Sequence, residues 1–333
     1  MMGFFKKLAC ASIVGASLAA PFTAGTAHAD EPIKLGYLVK MPEQAWFINE
    51  QRAAGDYAKQ NHFTVIDIGV PDGEKVLSAI DNLGAQGAKG FVICAPDVRL
   101  GQAIRARAKR YNMKFVTVDD QLVDSAGKPI ADIPHLGLSS FNIGMQAGDA
   151  ISQEMKRRGW KPEETGALRI TDYELPTAKL RTDGATKTLL AGGFPQANIY
   201  DAPQKTTDDE GGFNAASPVL SKHANVKHWV VFGMNEETVL GAVRATEQLH
   251  IAPADVIGVG INGAGEAFAE FQKKTPTGFY GTIAVSSTTH GRESVQNLYN
   301  WVTKNQMPPM YKESTGTLMT RDNWLQVRKD LGI

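Results

Sequence analysis

The chain has 333 residues with 35 basic and 35 acidic side chains, and loss of its first 29 residues would leave 33 basic against 35 acidic. That balance argues against a nucleic-acid binder, which needs a basic excess or stripe to neutralise phosphates. A hydrophobic content of 43% with 21% charged residues excludes a disordered chain, and the length suggests two domains.

Residues 1–29 (MMGFFKKLACASIVGASLAAPFTAGTAHA) read as a signal peptide. Lys6 and Lys7 precede an apolar stretch over 8–20, and Ala27-His28-Ala29 is a small-residue cleavage signal, so the mature chain is expected to start at Asp30. The stretch is too short for a membrane span, which takes roughly 20 residues. Cys10 has no apolar run before it, against lipidation, and leader removal leaves Cys94 as a lone thiol with no internal disulfide. The expected product is exported, soluble and periplasmic.

From residue 33, strand-like runs alternate with helical patterns. Strands are expected over 33–39 (IKLGYLV), 64–70, 91–94 and 114–118, with helices over 44–61, 74–86 and 100–111. In the second of these helices Val76, Leu77, Ile80 and Leu83 form one apolar face. A second series begins near 139, with a helix over 142–158 that ends in Lys156, Arg157, Arg158 and Gly159, a basic last turn and a glycine stop. Strands follow over 167–171, 198–202, 228–232, 255–259 and 278–286, then a helix over 289–304, a polar strand candidate over 315–319 and a helix over 321–331. This alternation predicts an α/β fold of two doubly wound parallel-sheet domains with a cleft between them.

Ligands of open parallel sheets sit beyond the carboxyl ends of the strands. The residues there are Lys40, Gln44, Trp46 and Phe47; Cys94; Asp119 and Asp120; Asp172, Glu174, Thr177 and Arg181; Met234 and Asn235; and Asn262. Nucleophile-elbow, phosphate-loop, zinc-protease and C-x-x-C motifs are absent, and His135, His223, His228, His250 and His290 lack metal-ligand spacing, so no cofactor is expected. Carboxylates, amides and a guanidinium around an aromatic plate suit a sugar, whose hydroxyls both donate and accept. Each residue also has a purely structural reading. Asn235 before Glu236 and Glu237 is a good helix N-cap, and Asn262-Gly263 an ordinary turn. Lys40 and Arg181 could be solvated, Asp119-Asp120 could cap a loop, and Trp46, Phe47 and Cys94 could be core. Their joint placement at strand ends in both halves favours a site.

The runs KLGYLVK (34–40), VPDGEKVLSAIDNLGAQGAKGFVICAPD (70–97), VDDQ (118–121), VKHWVVFGMNEETVLGAVRATE (226–247), IGVGING (257–263) and TGFYG (277–281) carry a resemblance. Over essentially the whole mature chain, the sequence resembles the periplasmic sugar-binding proteins of bacterial ABC importers, a type I periplasmic binding fold, and within them the arabinose-binding members. The resemblance implies Lys40, Asp119, Asp120, Arg181, Asn235 and Asn262 as polar contacts, with Asp120 at the anomeric hydroxyl. It implies Trp46 as the stacking ring, with Phe47, Cys94, Leu175, Thr177 and Met234 lining the pocket. It also implies hinge crossings near 138, 284 and 313, which divides the chain into 30–138 plus 285–313 and 139–284 plus 314–333. The implied partners are a monosaccharide and an ABC permease with its separate ATPase; a monomer with no nucleic acid and only peripheral contact with a membrane complex is expected. Gln44, Leu138 and Gly265 depart from the arabinose pattern, which has glutamate, methionine and aspartate there. L-arabinose is the expected ligand, with D-galactose and D-fucose as competitors.

Three rival readings differ in class. A sugar-responsive repressor would need a DNA-binding headpiece where this chain has a leader. A sugar hydrolase or mutarotase would pair Asp120 with Glu43 or Glu174. A quorum-signal receptor would share the scaffold, but two adjacent acids disfavour an anionic ligand.

Overall fold

The structure is a computed structural model describing residues 32–263 and 265–333, so the leader expected over 1–29 lies outside the described residues. The chain begins with β1 (Lys34–Val39), α1 (Ala45–Gln60), β2 (Thr64–Gly69), α2 (Gly73–Ala85), β3 (Gly90–Cys94), α3 (Gly101–Arg110), β4 (Lys114–Asp119) and β5 (His135–Leu138). It continues through α4 (Ser140–Arg158), β6 (Thr165–Thr171), α5 (Pro176–Ala191), β7 (Ile199–Pro203), α6 (Asp209–Lys222), β8 (His228–Phe232), α7 (Glu236–Gln248), β9 (Val256–Asn262), α8 (Gly265–Gln272) and β10 (Phe279–Ala284). It ends with α9 (Ser287–Lys304), β11 (Tyr311–Ser314), β12 (Thr317–Thr320) and α10 (Trp324–Leu331).

Among the described residues these strands form two six-stranded sheets, ordered β11-β5-β4-β3-β1-β2 and β12-β10-β9-β8-β6-β7. The two orders correspond strand for strand. Pairing is parallel except where β12 runs antiparallel to β10. The central strands β1, β3, β8 and β9 are almost wholly buried, as expected of apolar runs covered by helices on both faces. Helix starts are locally encoded: Asp72, Asp208, Asn235 and Ser286 each accept a backbone N–H of the first turn. Among the described residues no helix is long and apolar enough to cross a membrane.

Two strands were not expected. β5 is four residues between Pro134 and Ser139, and β11 is four residues after Pro308-Pro309, both too short to show alternation. The terminal helix starts at Trp324, three residues later than its pattern suggested, because 321–323 form a turn. Both new strands bear on how the chain travels. It leaves the first sheet after β5 and runs into α4, which packs on β9, β10 and β12. After β10 it returns through α9, which packs on β1, β3 and β4, and after β11 it passes once more to β12. The connecting segments are tied together: Ser139 N–H donates to the Ser314 carbonyl at 2.8 Å, Val285 N–H to the Asn262 carbonyl at 2.9 Å, and Gln146 Nε2 to the Gly316 carbonyl at 2.9 Å.

Candidate functional site

The carboxyl ends of both sheets converge on one cavity of about 50 Å³, on a scale where a single water takes roughly 10–15 Å³. Lys40, Gln44, Trp46, Phe47, Asp119, Asp120 and Leu138 approach from the first sheet; Thr177, Arg181, Thr207, Met234, Asn235 and Asn262 approach from the second. Of the expected residues, Cys94, Asp172, Glu174 and Leu175 are not on this wall.

Lys40 leaves the end of β1 and brings Nζ to 2.6 Å from Asp120 Oδ2, while Thr177 Oγ1 donates to Asp120 Oδ1 at 2.6 Å. Burial works against charge on both partners, yet attraction prevails. The Lys40 ammonium, which burial would lower, is raised by Asp120, Cys94 and Asp119. The Asp120 carboxyl, which burial would raise, is held below the usual range by Lys40, Thr177 and Arg181. Cys94 backs this pair, with Sγ 3.5 Å from Asp120 Oδ2, and its thiol is pushed well up by burial and then by Asp120.

Asp119 and Asn262 are the last residues of β4 and β9, the corresponding strands of the two sheets, and both have positive φ, 60° and 132°. Such backbone costs of order 1–3 kcal/mol and persists where the surroundings over-determine it, commonly at functional sites. The Trp46 indole, in the first turn of α1, donates Nε1 to Asp119 Oδ2 at 2.9 Å. Its ring meets His290 edge-on, with centroids 5.7 Å apart.

Arg181 lies on α5, which is pressed against α4 through two glycines. A Cβ at Gly144 would strike the Arg181 carbonyl, and one at Gly184 the Phe141 carbonyl. Arg181 is 7% exposed and donates Nη1 to the Met234 carbonyl at 2.5 Å, while Nε has no hydrogen-bond partner. Burial lowers its pKa, with Asp120, Asp119 and Glu237 opposing. Asn235 is the α7 cap and also stands on the cavity wall. Its Oδ1 accepts from Thr238 N–H at 3.0 Å as the α7 cap, and its Nδ2 donates to the Thr207 carbonyl at 2.8 Å, leaving one amide hydrogen to give. Asn262 Nδ2 faces Glu237 Oε2 at 3.4 Å. Burial first, then the charges of Glu266 and Asp209, raise the Glu237 carboxyl to about 8.

Thr207 was not anticipated. It follows β7, a strand of the second series whose end had contributed no candidate, and the strand-end rule applied there would have reached it. Its carbonyl accepts from Gln44 Nε2 at 3.3 Å as well as from Asn235, so Gln44 bridges the two sides. Leu138, at the end of β5, sits on the wall as expected. Gly265, the first residue of α8, is exposed with open space around it.

Beyond Lys40 and Thr207 lies an outer cleft of about 600 Å³, and this is where Leu175 and Glu174 stand, with Asp97, Arg99 and Asp172. Glu43 is exposed. Neither glutamate shares the inner wall with the ionised Asp120, so the carboxylate pair of the enzymatic reading is not assembled there.

Behind the wall, Glu50, Asp119 and His290 place one ligand atom each within 4.8 Å of one another, a proximity of metal-binding type that the scattered histidines had not suggested. Burial and the Asp119 charge push the Glu50 carboxyl well above its usual range, which suits a shared proton.

A cavity between two corresponding sheets, walled by one buried and one half-buried cation, two buried carboxylates, amides and an aromatic plate, defines a cleft-type receptor for a small, hydroxyl-rich molecule. The chain belongs to the family described as periplasmic binding proteins and sugar binding domain of LacI family, whose model matches residues 33–321. It is 74% identical over 309 residues, 93% of this chain and 92% of the other, to an ABC transporter L-arabinose-binding periplasmic protein of Azospirillum brasilense. It is 47% identical over 304 residues, 91% of this chain and 92% of the other, to the L-arabinose-binding periplasmic protein of Escherichia coli K12. Among solved structures, an ABC transporter periplasmic solute binding protein of Actinobacillus succinogenes 130z with bound D-allose superposes with a TM-score of 0.75 at 17% identity, over 88% of this chain and 99% of the other. A galactofuranose binding protein does so with 0.74 at 15% identity, over 91% and 100%. The latter two show the fold alone. The members of this family are binding proteins, and the chain is one of them, not an enzyme.

Proposed function

We propose that the protein captures L-arabinose in the periplasm, with D-galactose and D-fucose as close competitors, and delivers it to an ABC permease powered by a separate ATPase. The carrying observation is the buried Arg181 on the cavity wall, whose Nε has no protein partner. A buried donor without a partner is costly, and a ligand oxygen relieves it. Lys40 and Arg181 balance Asp119 and Asp120, which favours a neutral polyol over an ion. The names borne by the relatives at 74% and 47% identity point to the pentose.

In this reading Lys40, Gln44, Asp119, Asp120, Arg181, Asn235 and Asn262 bond the hydroxyls. Trp46 stacks on the ring, and Phe47, Leu138, Thr177 and Met234 shape the remainder. Domains 30–138 plus 285–313 and 139–284 plus 314–333 close on the sugar about crossings near 138, 284 and 313, and contacts to both sides stabilise the closed state. The leader is cleaved after Ala29, and the mature protein is a monomer without affinity for nucleic acid. Calorimetric titration of sugar-stripped protein with L-arabinose, D-galactose, D-fucose and D-ribose tests this. Tight one-to-one binding of L-arabinose is expected; tighter binding of a hexose would assign the pocket to that sugar, and silence from all four would overturn the proposal.

A further inference from the structure

Glu50, Asp119 and His290 come from α1, β4 and α9, and none is more than a tenth exposed. α9 reaches α1 at Gly291, where a Cβ would strike the Glu50 carbonyl, and this contact brings His290 against Glu50. His290 Nδ1 lies 3.3 Å from Asp119 Oδ1 and 3.9 Å from Glu50 Oε1. Both Glu50 oxygens, Asp119 Oδ1 and His290 Nδ1 form no hydrogen bond of good geometry, so the cluster is gathered but not locked. On its far side His290 Nε2 meets Ser314 Oγ at 3.0 Å, and the Ser314 carbonyl accepts from Ser139 N–H. Asp119 is on the cavity wall and Ser314 and Ser139 are at two of the crossings, so one side chain touches both.

We propose that Glu50 and His290 are positioning residues for Asp119, tying its carboxylate to the crossings so that sugar binding and closure are coupled through one buried cluster. The inference rests on the reading of Asp119 as a sugar contact. Burial first, then the Asp119 carboxylate beside it, push the Glu50 carboxyl well above its usual range, so Glu50 is the group in the cluster that holds a proton. Closure excludes further water from the cluster and favours the protonated Glu50, so affinity declines as pH rises and that proton is lost.

Other titratable groups face Glu50 and Asp119. Tyr37 from β1 and Cys94 from β3 are held well up by burial, and Lys40 is raised, so these keep their protons. Asp120 beside Asp119 is held low, and His135 from β5, lowered to about 4 by burial, stays neutral. Glu237, raised to about 8, faces Asn262 in the other sheet and is controlled with Glu237→Gln.

The test titrates L-arabinose into purified periplasmic protein from about pH 6 to about pH 9, so that loss of a raised carboxyl's proton toward the alkaline end is read as a fall in affinity. Glu50→Gln, a neutral mimic, is expected to bind as wild type at the acid end and to lack the decline. Glu50→Ala should bind about tenfold more weakly, and Ser314→Ala, small and remote from the sugar, about three- to fivefold more weakly, with a larger open fraction by small-angle scattering. If Ser314→Ala matches wild type in affinity and open fraction, or Glu50→Gln keeps the wild-type pH profile, the coupling is overturned. Asp119→Asn separates the two readings: unchanged affinity would remove Asp119 from the sugar site, whereas lost binding beside wild-type behaviour of the other variants would leave the site and discard the coupling.

Discussion

Lys40 and Asp120 meet at 2.6 Å across the ends of β1 and β4, with side chains 15% and 5% exposed. Breaking one half of a buried pair leaves the other charge uncompensated, so Lys40→Met is expected to destabilise the protein by about 3–5 kcal/mol, and the double variant Lys40→Met/Asp120→Asn by much less. A urea-unfolding double-mutant cycle reads this. The pair also sets two pH limits. The depressed Asp120 contributes stability that is full above the ordinary aspartate value and lost as pH falls through its lowered one. The raised Lys40 contributes stability that is full below the ordinary lysine value and lost as pH rises through its raised one.

Arg181→Met should lower L-arabinose affinity by roughly 10- to 100-fold, the worth of a hydrogen bond to a buried charged group. Arg181→Lys should not restore it, because a point charge does not reproduce the planar fork that holds the Met234 carbonyl and leaves Nε for the ligand. Calorimetry of both variants checks the pair of outcomes.

Asn262 combines its proposed site role with a strained backbone, and two substitutions separate them. Asn262→Ala should lose both affinity and about 1 kcal/mol or more of stability, since φ of 132° is foreign to alanine. Asn262→Gly should recover the stability and not the affinity. Thermal melting with and without L-arabinose distinguishes these.

Glu237 holds a proton in the folded state at pH values where the unfolded chain has lost it, between the ordinary 4.5 and about 8. Stability contributed by this residue therefore falls as pH rises through that window, and Glu237→Gln should flatten the slope. Urea midpoints across the window would show it, and a variant with the wild-type slope would place the proton elsewhere.

The alternation of apolar runs exposes most of this fold because parallel strands covered on both faces must be continuously apolar, and the strand-end rule then collects Lys40, Asp119, Asp120, Arg181, Asn235 and Asn262 without coordinates. The runs that stayed hidden, β5 and β11, are short and carry the chain between sheets. Glu50, His290 and Glu237 were also hidden. On their helices they read as one more acid or histidine, and only the packing of α9 on α1 and of β9 on α7 reveals that they stand behind the wall. Cys94 was legible as a strand end, but whether it touched the cavity or its backing depended on the side chain of Asp120.

The corresponding strands β4 and β9 both end on a residue of positive φ, but one offers Asp119-Asp120 and the other Asn262-Gly263. A frame of near-twofold design thus has an acidic half and an amide half. On the proposed function, a sugar ring entering upside down would find amides where its most acidic hydroxyl needs a carboxylate, and the duplicated architecture would act as a keyed socket with a single insertion sense.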